Sequence, residues 1–197
     1  LGAGVPVTIS VFSADAALIP KIARLPRVIR IDKFTQSAGL DDEVACQILV
    51  GHRLDGIPYS SPSYNSWLQQ AGVNGSGSTI AIVDTGCDTN DKDTVHLDLQ
   101  GRLSTVIRYP LAPETDTSGH GTHVAGTVAG SGALEIVDDE GFLYGQGVAP
   151  ACSLVIQNAV ASSFFPPEGG WTALTRDSVS AGAFVSNNSW YSDPTPG

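Results

Sequence analysis

The sequence contains no methionine and only three cysteines among its 197 residues. Because methionine is missing even at position 1, we expect a processed piece or a fragment rather than a whole translation product. Cys46, Cys87 and Cys152 allow at most one disulfide, and the simplest expectation is that all three are small buried residues. Such scattered cysteines exclude a disulfide framework and a zinc knuckle.

Basic residues and long apolar runs are also scarce. Ten Lys and Arg against twenty Asp and Glu give a formal net charge of −10, which argues against binding to nucleic acid or to an anionic membrane surface. No apolar run reaches the length of about 18 residues that a membrane span needs, and the N-terminus lacks the pattern of a signal peptide. We therefore expect neither nucleic acid nor a membrane as partner. The 42% hydrophobic content is enough for a packed core.

The hydrophobic pattern after residue 78 predicts an α/β fold. Residues 79–83 form a continuous apolar run that ends at Asp84, as in a buried parallel strand. Strands are also predicted at 102–109, 153–160 and 183–190, and helices at 118–130 and 171–183. This alternation predicts a doubly wound, mostly parallel sheet. The carboxyl ends of its strands would bring together Asp84, Asn158 and Asn188.

The first third of the chain has a different pattern. Residues 1–34 alternate as a strand, a helix and a strand, which predicts a small β-α-β unit. Residues 35–62 combine a short helix near 41–50 with proline, glycine and serine, which indicates a linker or an N-terminal arm. Residues 63–197 then form the α/β portion.

The segment SGHGTHVAGTVAG, residues 118–130, has apolar residues at helical spacing but weak helix propensity. We therefore expect a helix that is held by burial, with Val124, Ala125, Val128 and Ala129 on its inner face. His120 would lie in the first turn, with Thr117 or Ser118 as the cap. His123 lies almost a turn further on and is expected to be a buried structural residue.

Asp84 and His120 together predict general-base chemistry. A carboxylate at the end of a buried strand that accepts the Nδ1 proton of an imidazole fixes its tautomer and stabilises the imidazolium formed when Nε2 takes a proton. The helix N-terminus disfavours the imidazolium, which helps to keep the base neutral near pH 7. The flanking Gly119 and Gly121 leave room for a nucleophile or a substrate.

Five segments, in order along the chain, resemble landmark segments of the subtilisin-like serine proteases: AIVDTGCD, HLDLQGR, SGHGTHVAGTVAG, GVAP and NNSW. The resemblance implies that Asp84 is the orienting carboxylate and His120 the general base of an Asp-His-Ser triad. It also implies that Asn188, Ser189 and Trp190 bind an extended polypeptide substrate beside a strand.

The same resemblance carries expectations for the rest of the protein. It implies an incomplete subtilisin-like fold for residues 63–197, a partial propeptide at 1–34 that includes LPRVIRIDKF, and a secreted location. No cofactor is expected for catalysis. Asp98 matches a position that in several family members helps to bind a structural calcium ion, the alternative being a surface aspartate at a turn.

The nucleophile of the family is missing from the sequence. Its Gly-Thr-Ser segment has no counterpart, since the two Gly-Thr pairs, Gly121-Thr122 and Gly126-Thr127, are followed by His123 and Val128. One interpretation is the front part of a serine endopeptidase, inactive as given, whose partner is the missing C-terminal half of the catalytic domain. The alternative is a non-catalytic peptide-binding or inhibitory relative. A metal-dependent hydrolase using Asp84, His120 and His123 is disfavoured, because His-x-x-His is not the i, i+4 pair that binds zinc.

Overall fold

The computed structural model describes Lys21, residues 43–160 and residues 170–190. The chain divides into two compact units, Leu1–Gly39 and Leu40–Gly197. Apart from Lys21, the predicted β-α-β unit lies outside the described residues. All elements below belong to the second unit.

The elements after residue 78 follow the predicted order, and Glu43–Leu49 is the short helix predicted near 41–50. In chain order the elements of the second unit are α1 (Glu43–Leu49), β1 (Arg53–Leu54), β2 (Ile57–Pro58), α2 (Tyr64–Ala71), β3 (Thr79–Asp84), a 3₁₀ turn (Leu97–Leu99), β4 (Leu103–Arg108), α3 (His120–Ala129), β5 (Ser153–Asn158), α4 (Gly170–Ser180) and β6 (Val185–Asn187). The last strand is shorter than predicted and ends before Asn188.

The main sheet has the strand order β4-β5-β3-β6, and all three of its strand pairs are parallel. Asp84 is in register with Asn158, which is in register with Arg108. The carboxyl ends of the three longer strands therefore lie side by side. This confirms the predicted α/β fold with a mostly parallel sheet, and it confirms that Asp84 and Asn158 meet at one edge.

Successive strand residues point to opposite faces of the sheet, so both faces carry apolar side chains, and helices cover both of them. On one face, Ile82, Leu154 and Ile156 share a core cluster with Val124, Ala125 and Ala129 of α3. On the other face, Val83 packs in a cluster with Leu174 of α4. The sheet is thus doubly wound, and the predicted inner face of α3 is confirmed, with Val128 partly buried against the same core.

The segment predicted as a linker or arm is folded where the structure describes it. Buried Glu43 accepts hydrogen bonds from the amides of Tyr64 and Leu143 (2.9 Å for Leu143) and from Nε2 of Gln47 (2.7 Å). The Tyr64 hydroxyl donates to the carbonyl of Val148 at 2.8 Å. Residues 43–71 are therefore fastened to the loop that follows α3.

All three cysteines are buried and none of them is in a disulfide, which confirms the expectation of small buried residues. Within the described ranges, none of the helices is long and apolar enough to cross a membrane.

Candidate active site

Asp84, the last residue of β3, is buried at the carboxyl edge of the sheet with 1% of its surface exposed. Its Oδ1 accepts hydrogen bonds from Nδ1 of His120 at 2.7 Å and from the amide of Thr85 at 2.8 Å. An ionised carboxylate can only accept, so the imidazole carries its proton on Nδ1. The other ring nitrogen, Nε2, then holds the lone pair that a general base requires.

His120 is the first residue of α3, and 49% of its side chain is exposed. The imidazole is therefore fixed on one side by a buried carboxylate and accessible on the other. This is the arrangement that lets a histidine take a proton from a nucleophile and keep its orientation.

The close approach of His120 to Asp84 depends on glycine. A Cβ at Gly121 would collide with the carbonyl oxygen of Gly86, in the loop that follows β3. Gly119, the N-cap residue, has φ = 79°, in the left-handed region that glycine adopts without strain. The first turn of α3 can therefore press directly against the backbone beyond Asp84.

The predicted cap of α3 is wrong. Neither Thr117 nor Ser118 caps the helix, and the N-cap residue Gly119 has no side chain to do so. Asp116 takes this role: its Oδ1 accepts from the amides of Ser118 (3.1 Å) and Gly119 (2.9 Å), and its Oδ2 from the amide of Thr122 (2.8 Å). An acidic residue just before a helix was the available signal, since negative charge is favoured there.

Asp116 is charged at neutral pH. Burial raises the pKa of this carboxyl group, but the hydrogen bonds from Thr122, Thr85 and Gly119 outweigh that effect and bring the pKa below its ordinary value. The sequence reasoning did not single out this residue.

His123 is exposed, so the expectation that it is buried is wrong. The inner face of α3 contains the residues that follow it, Val124 and Ala125, and turns His123 away from the sheet. Asn158 is buried beside Asp84 as expected, and its Nδ2 donates to the carbonyl of Pro113 at 2.8 Å.

The residues predicted to bind substrate follow β6 at the same end of the sheet as Asp84. β6 pairs with β3 up to Asn187, which is in register with Ile82. Asn188 and Ser189 are exposed. The Trp190 indole donates to the carbonyl of Val83, the residue before Asp84, at 2.7 Å. Trp190 also stacks on Trp171, with 4.7 Å between the ring centroids.

Asp98, where the family resemblance predicts a calcium ligand, is buried, and the calcium site stays a prediction. Its Oδ1 accepts from the amide of Ala133 at 2.6 Å, and Nδ1 of His96 lies 3.6 Å from its Oδ2. The amide of Asp98 in turn donates to Nδ1 of His96 at 3.3 Å. In residues 43–160 and 170–190, no group of three or more His, Cys, Asp or Glu side chains is arranged to hold a metal ion.

Comparison with known proteins matches residues 75–197 to the Subtilase family. Subtilisin-like protease 3 of Pseudogymnoascus destructans is 31% identical over 122 residues, which are 60% of this chain and 28% of that protein. The major intracellular serine protease of Bacillus subtilis is 38% identical over 86 residues, which are 43% of this chain and 24% of that protein. The chain thus spans about a quarter of the length of these relatives.

Among solved structures, the MycP3 protease from the type VII (ESX-3) secretion system matches with a TM-score of 0.40 and 25% sequence identity. The match covers 64% of this chain and 34% of that one.

Proposed function

This chain belongs to the subtilase family, and from that premise we propose that the complete protein is a serine endopeptidase whose triad includes Asp84 and His120. The observation that carries the proposal is the 2.7 Å hydrogen bond between Nδ1 of His120 and Oδ1 of Asp84. The serine would come from a segment outside these 197 residues, because they contain no Gly-Thr-Ser.

In the proposed reaction, Nε2 of His120 takes the proton of the serine hydroxyl while the serine oxygen attacks the carbonyl carbon of a peptide bond. Asp84 stabilises the resulting imidazolium through Nδ1. The imidazolium then gives its proton to the leaving amine, and an acyl-enzyme remains. Water, deprotonated by the same imidazole, releases the acyl group and restores the serine.

The substrate in this proposal is a polypeptide in extended conformation. Asn188, Ser189 and Trp190 would lie along it, since they follow an edge strand at the end of the sheet where Asp84 lies. An exposed strand edge offers backbone groups that an extended peptide can pair with.

The first test is the hydrolysis of an unfolded protein substrate by the complete protein. We expect His120→Ala and Asp84→Asn each to lower kcat by about 10⁴-fold, because a triad that loses its base, or the group that orients it, loses most of its rate enhancement. His96→Ala is the matched control, since it removes the imidazole of a second His-Asp pair, whose Nδ1 and Oδ2 atoms lie 3.6 Å apart. We expect it to change kcat less than threefold.

A fluorophosphonate probe tests the serine. We expect the probe to label one serine of the complete protein and to abolish hydrolysis, and His120→Ala to prevent the labelling. Near-normal hydrolysis by either triad variant would contradict the proposal. So would a complete protein that binds peptides without cleaving them, or one whose hydrolysis stops with a chelator and not with the probe.

Secretion, which the family resemblance implies, belongs to the same proposal. It is tested by measuring the protein in culture medium and in washed cells of the source organism. Recovery from the cells alone would contradict secretion and leave the catalytic proposal unchanged.

A further inference from the structure

We propose that Asp116 is a positioning residue for the pair of Asp84 and His120, holding the first turn of α3 and the loop after β3 in one fixed arrangement. The inference rests on the proposed serine endopeptidase function. It concerns a residue that contacts neither the imidazole nor the catalytic carboxylate in any hydrogen bond of the structure.

Asp116 binds both sides of the site at once. On the helix side, its two oxygens accept from the amides of Ser118, Gly119 and Thr122, and Oδ2 also accepts from the Thr122 hydroxyl at 2.5 Å. On the strand side, its Oδ1 accepts from the Thr85 hydroxyl at 2.8 Å. One carboxylate therefore joins the start of α3 to the residue that follows Asp84.

Thr85 extends this link to both catalytic residues. Its hydroxyl accepts from the amide of Gly121, the residue after His120, at 2.9 Å. Its own amide donates to Oδ1 of Asp84, the oxygen that holds His120. Displacement of the Asp116 carboxylate would thus shift the backbone on each side of the 2.7 Å bond.

A residue that only capped the start of α3 would not need the hydrogen bond from Thr85. Helix caps ordinarily satisfy one or two of the free amides at a helix start. Asp116 accepts from one amide of the helix, that of Thr122, and from the amides of Ser118 and Gly119 just before it, and it also crosses to the other element of the site. Because the reacting groups must be held to within a fraction of an ångström, this connection points to alignment of the catalytic pair.

The main test is Asp116→Asn in the complete protein. The amide has the size of the carboxylate but only one acceptor oxygen. If this oxygen takes the place of Oδ1, an NH₂ group faces the amide of Thr122; if it takes the place of Oδ2, the hydrogen bonds from Thr85 and Gly119 are lost. We expect kcat to fall by about 10- to 100-fold, the usual effect of a small misplacement of catalytic groups, with KM changed less than twofold. Glu114→Gln is the matched control, because it removes the same charge from an exposed residue two positions earlier. It should leave both constants within twofold.

Thr85 supplies a second pair of variants that keeps the Asp116 carboxylate and its hydrogen bonds from the amides of Ser118, Gly119 and Thr122. Thr85→Val removes the hydroxyl and keeps the shape, and we expect it to lower kcat by a similar factor. Thr85→Ser keeps the hydroxyl, and we expect kcat within threefold of the wild-type value. Equal kcat values for the valine and serine variants would overturn the proposal, even if Asp116→Asn failed to fold.

A spectroscopic signal separates this inference from the proposed function. The Nδ1 proton shared by His120 and Asp84 should give a resonance at low field in the proton NMR spectrum of the complete protein. We expect Asp116→Asn to broaden this resonance or move it upfield, and Glu114→Gln to leave it in place. If the wild-type protein hydrolyses no peptide but the resonance responds in this way, the function is wrong and the positioning role stands. If hydrolysis occurs and Asp116→Asn preserves both kcat and the resonance, the positioning role is wrong.

Discussion

The three cysteines show how burial decides the chemistry of a single residue. Cys87 lies three residues after the catalytic aspartate candidate, in a loop with acidic neighbours. Burial, with smaller contributions from Asp88 and Asp116, raises the pKa of its thiol to about 12. Burial also raises the pKa of the Cys152 thiol. Because the thiolate is the reactive form, both residues are expected to be inert, Cys87 despite its position close to Asp84 in the chain.

We therefore predict that iodoacetamide at pH 8 leaves Cys46, Cys87 and Cys152 unmodified in the folded complete protein. With a pKa of about 12, only about 10⁻⁴ of the Cys87 thiol is ionised at that pH, and all three side chains are shielded from solvent. Mass spectrometry of the proteolytic peptides measures the modification. The control is the same reaction in denaturant, where all three should be alkylated. Rapid alkylation of Cys87 before unfolding would contradict the prediction.

At the scale of elements, α3 lies close to the loop after β3 because its sequence is poor in large side chains. Its first turn touches the loop after β3 at Gly121, and its far end lies against the strand-like segment that contains Gly145 and Gly147. A helix of larger residues would have stronger intrinsic propensity but would stand further from the sheet. The separation between helix and loop sets the distance between His120 and Asp84.

Two glycines of α3 test this explanation. We expect Gly121→Ala to destabilise the complete protein by about 1–3 kcal/mol, because its methyl group would collide with the Gly86 carbonyl. Gly126→Ala is the matched control, since nothing lies within 4 Å of a Cβ at that position. Alanine favours the helix there, and we expect a gain of up to about 1 kcal/mol. Urea unfolding measures both free energies, and equal values for the two variants would contradict the explanation.

At the scale of the whole molecule, the sheet has an open apolar edge. β6 pairs with β3 on one side, and the described residues provide no strand on its other side. Phe184 and Val185 at this edge are 83% and 57% exposed, and Val179 at the end of α4 is 65% exposed. Adjacent apolar side chains of this size on a strand edge are a surface that other chain segments or dyes can bind.

We predict that the isolated 197-residue chain binds the dye ANS and that the double variant Phe184→Ser, Val185→Ser binds markedly less. The apolar surface of β6 is the expected binding site. Leu111→Ser is the matched control, because Leu111 is 82% exposed in the loop after β4. Dye fluorescence titrated against each protein, with circular dichroism to verify the fold, measures the effect. An absence of dye binding by the unaltered chain, or an equal loss with Leu111→Ser, would contradict the prediction.

Much of this molecule was determined by the sequence alone. Apolar runs that end in polar residues predicted the parallel strands. Because side chains alternate along a strand and parallel strands end at the same edge of a sheet, these runs also predicted that Asp84 and Asn158 lie at one edge. The spacing of small apolar residues predicted the inner face of α3. The segment around His120, with those around Asp84 and Asn188, indicated the subtilase family that the comparisons then showed.

Only the tertiary structure decided which atoms meet. His123 is exposed, and Asp116 rather than Thr117 or Ser118 caps α3. The further hydrogen bond from Thr85 to Asp116, 31 positions apart, depends on how the helix packs against the loop after β3. That packing depends on a contact between Gly121 and Gly86, 35 positions apart in the chain. Local propensity does not contain such long-range contacts. The hydrogen bond between His120 and Asp84, and the carboxylate of Asp116 that joins the elements around it, are therefore products of the folded arrangement.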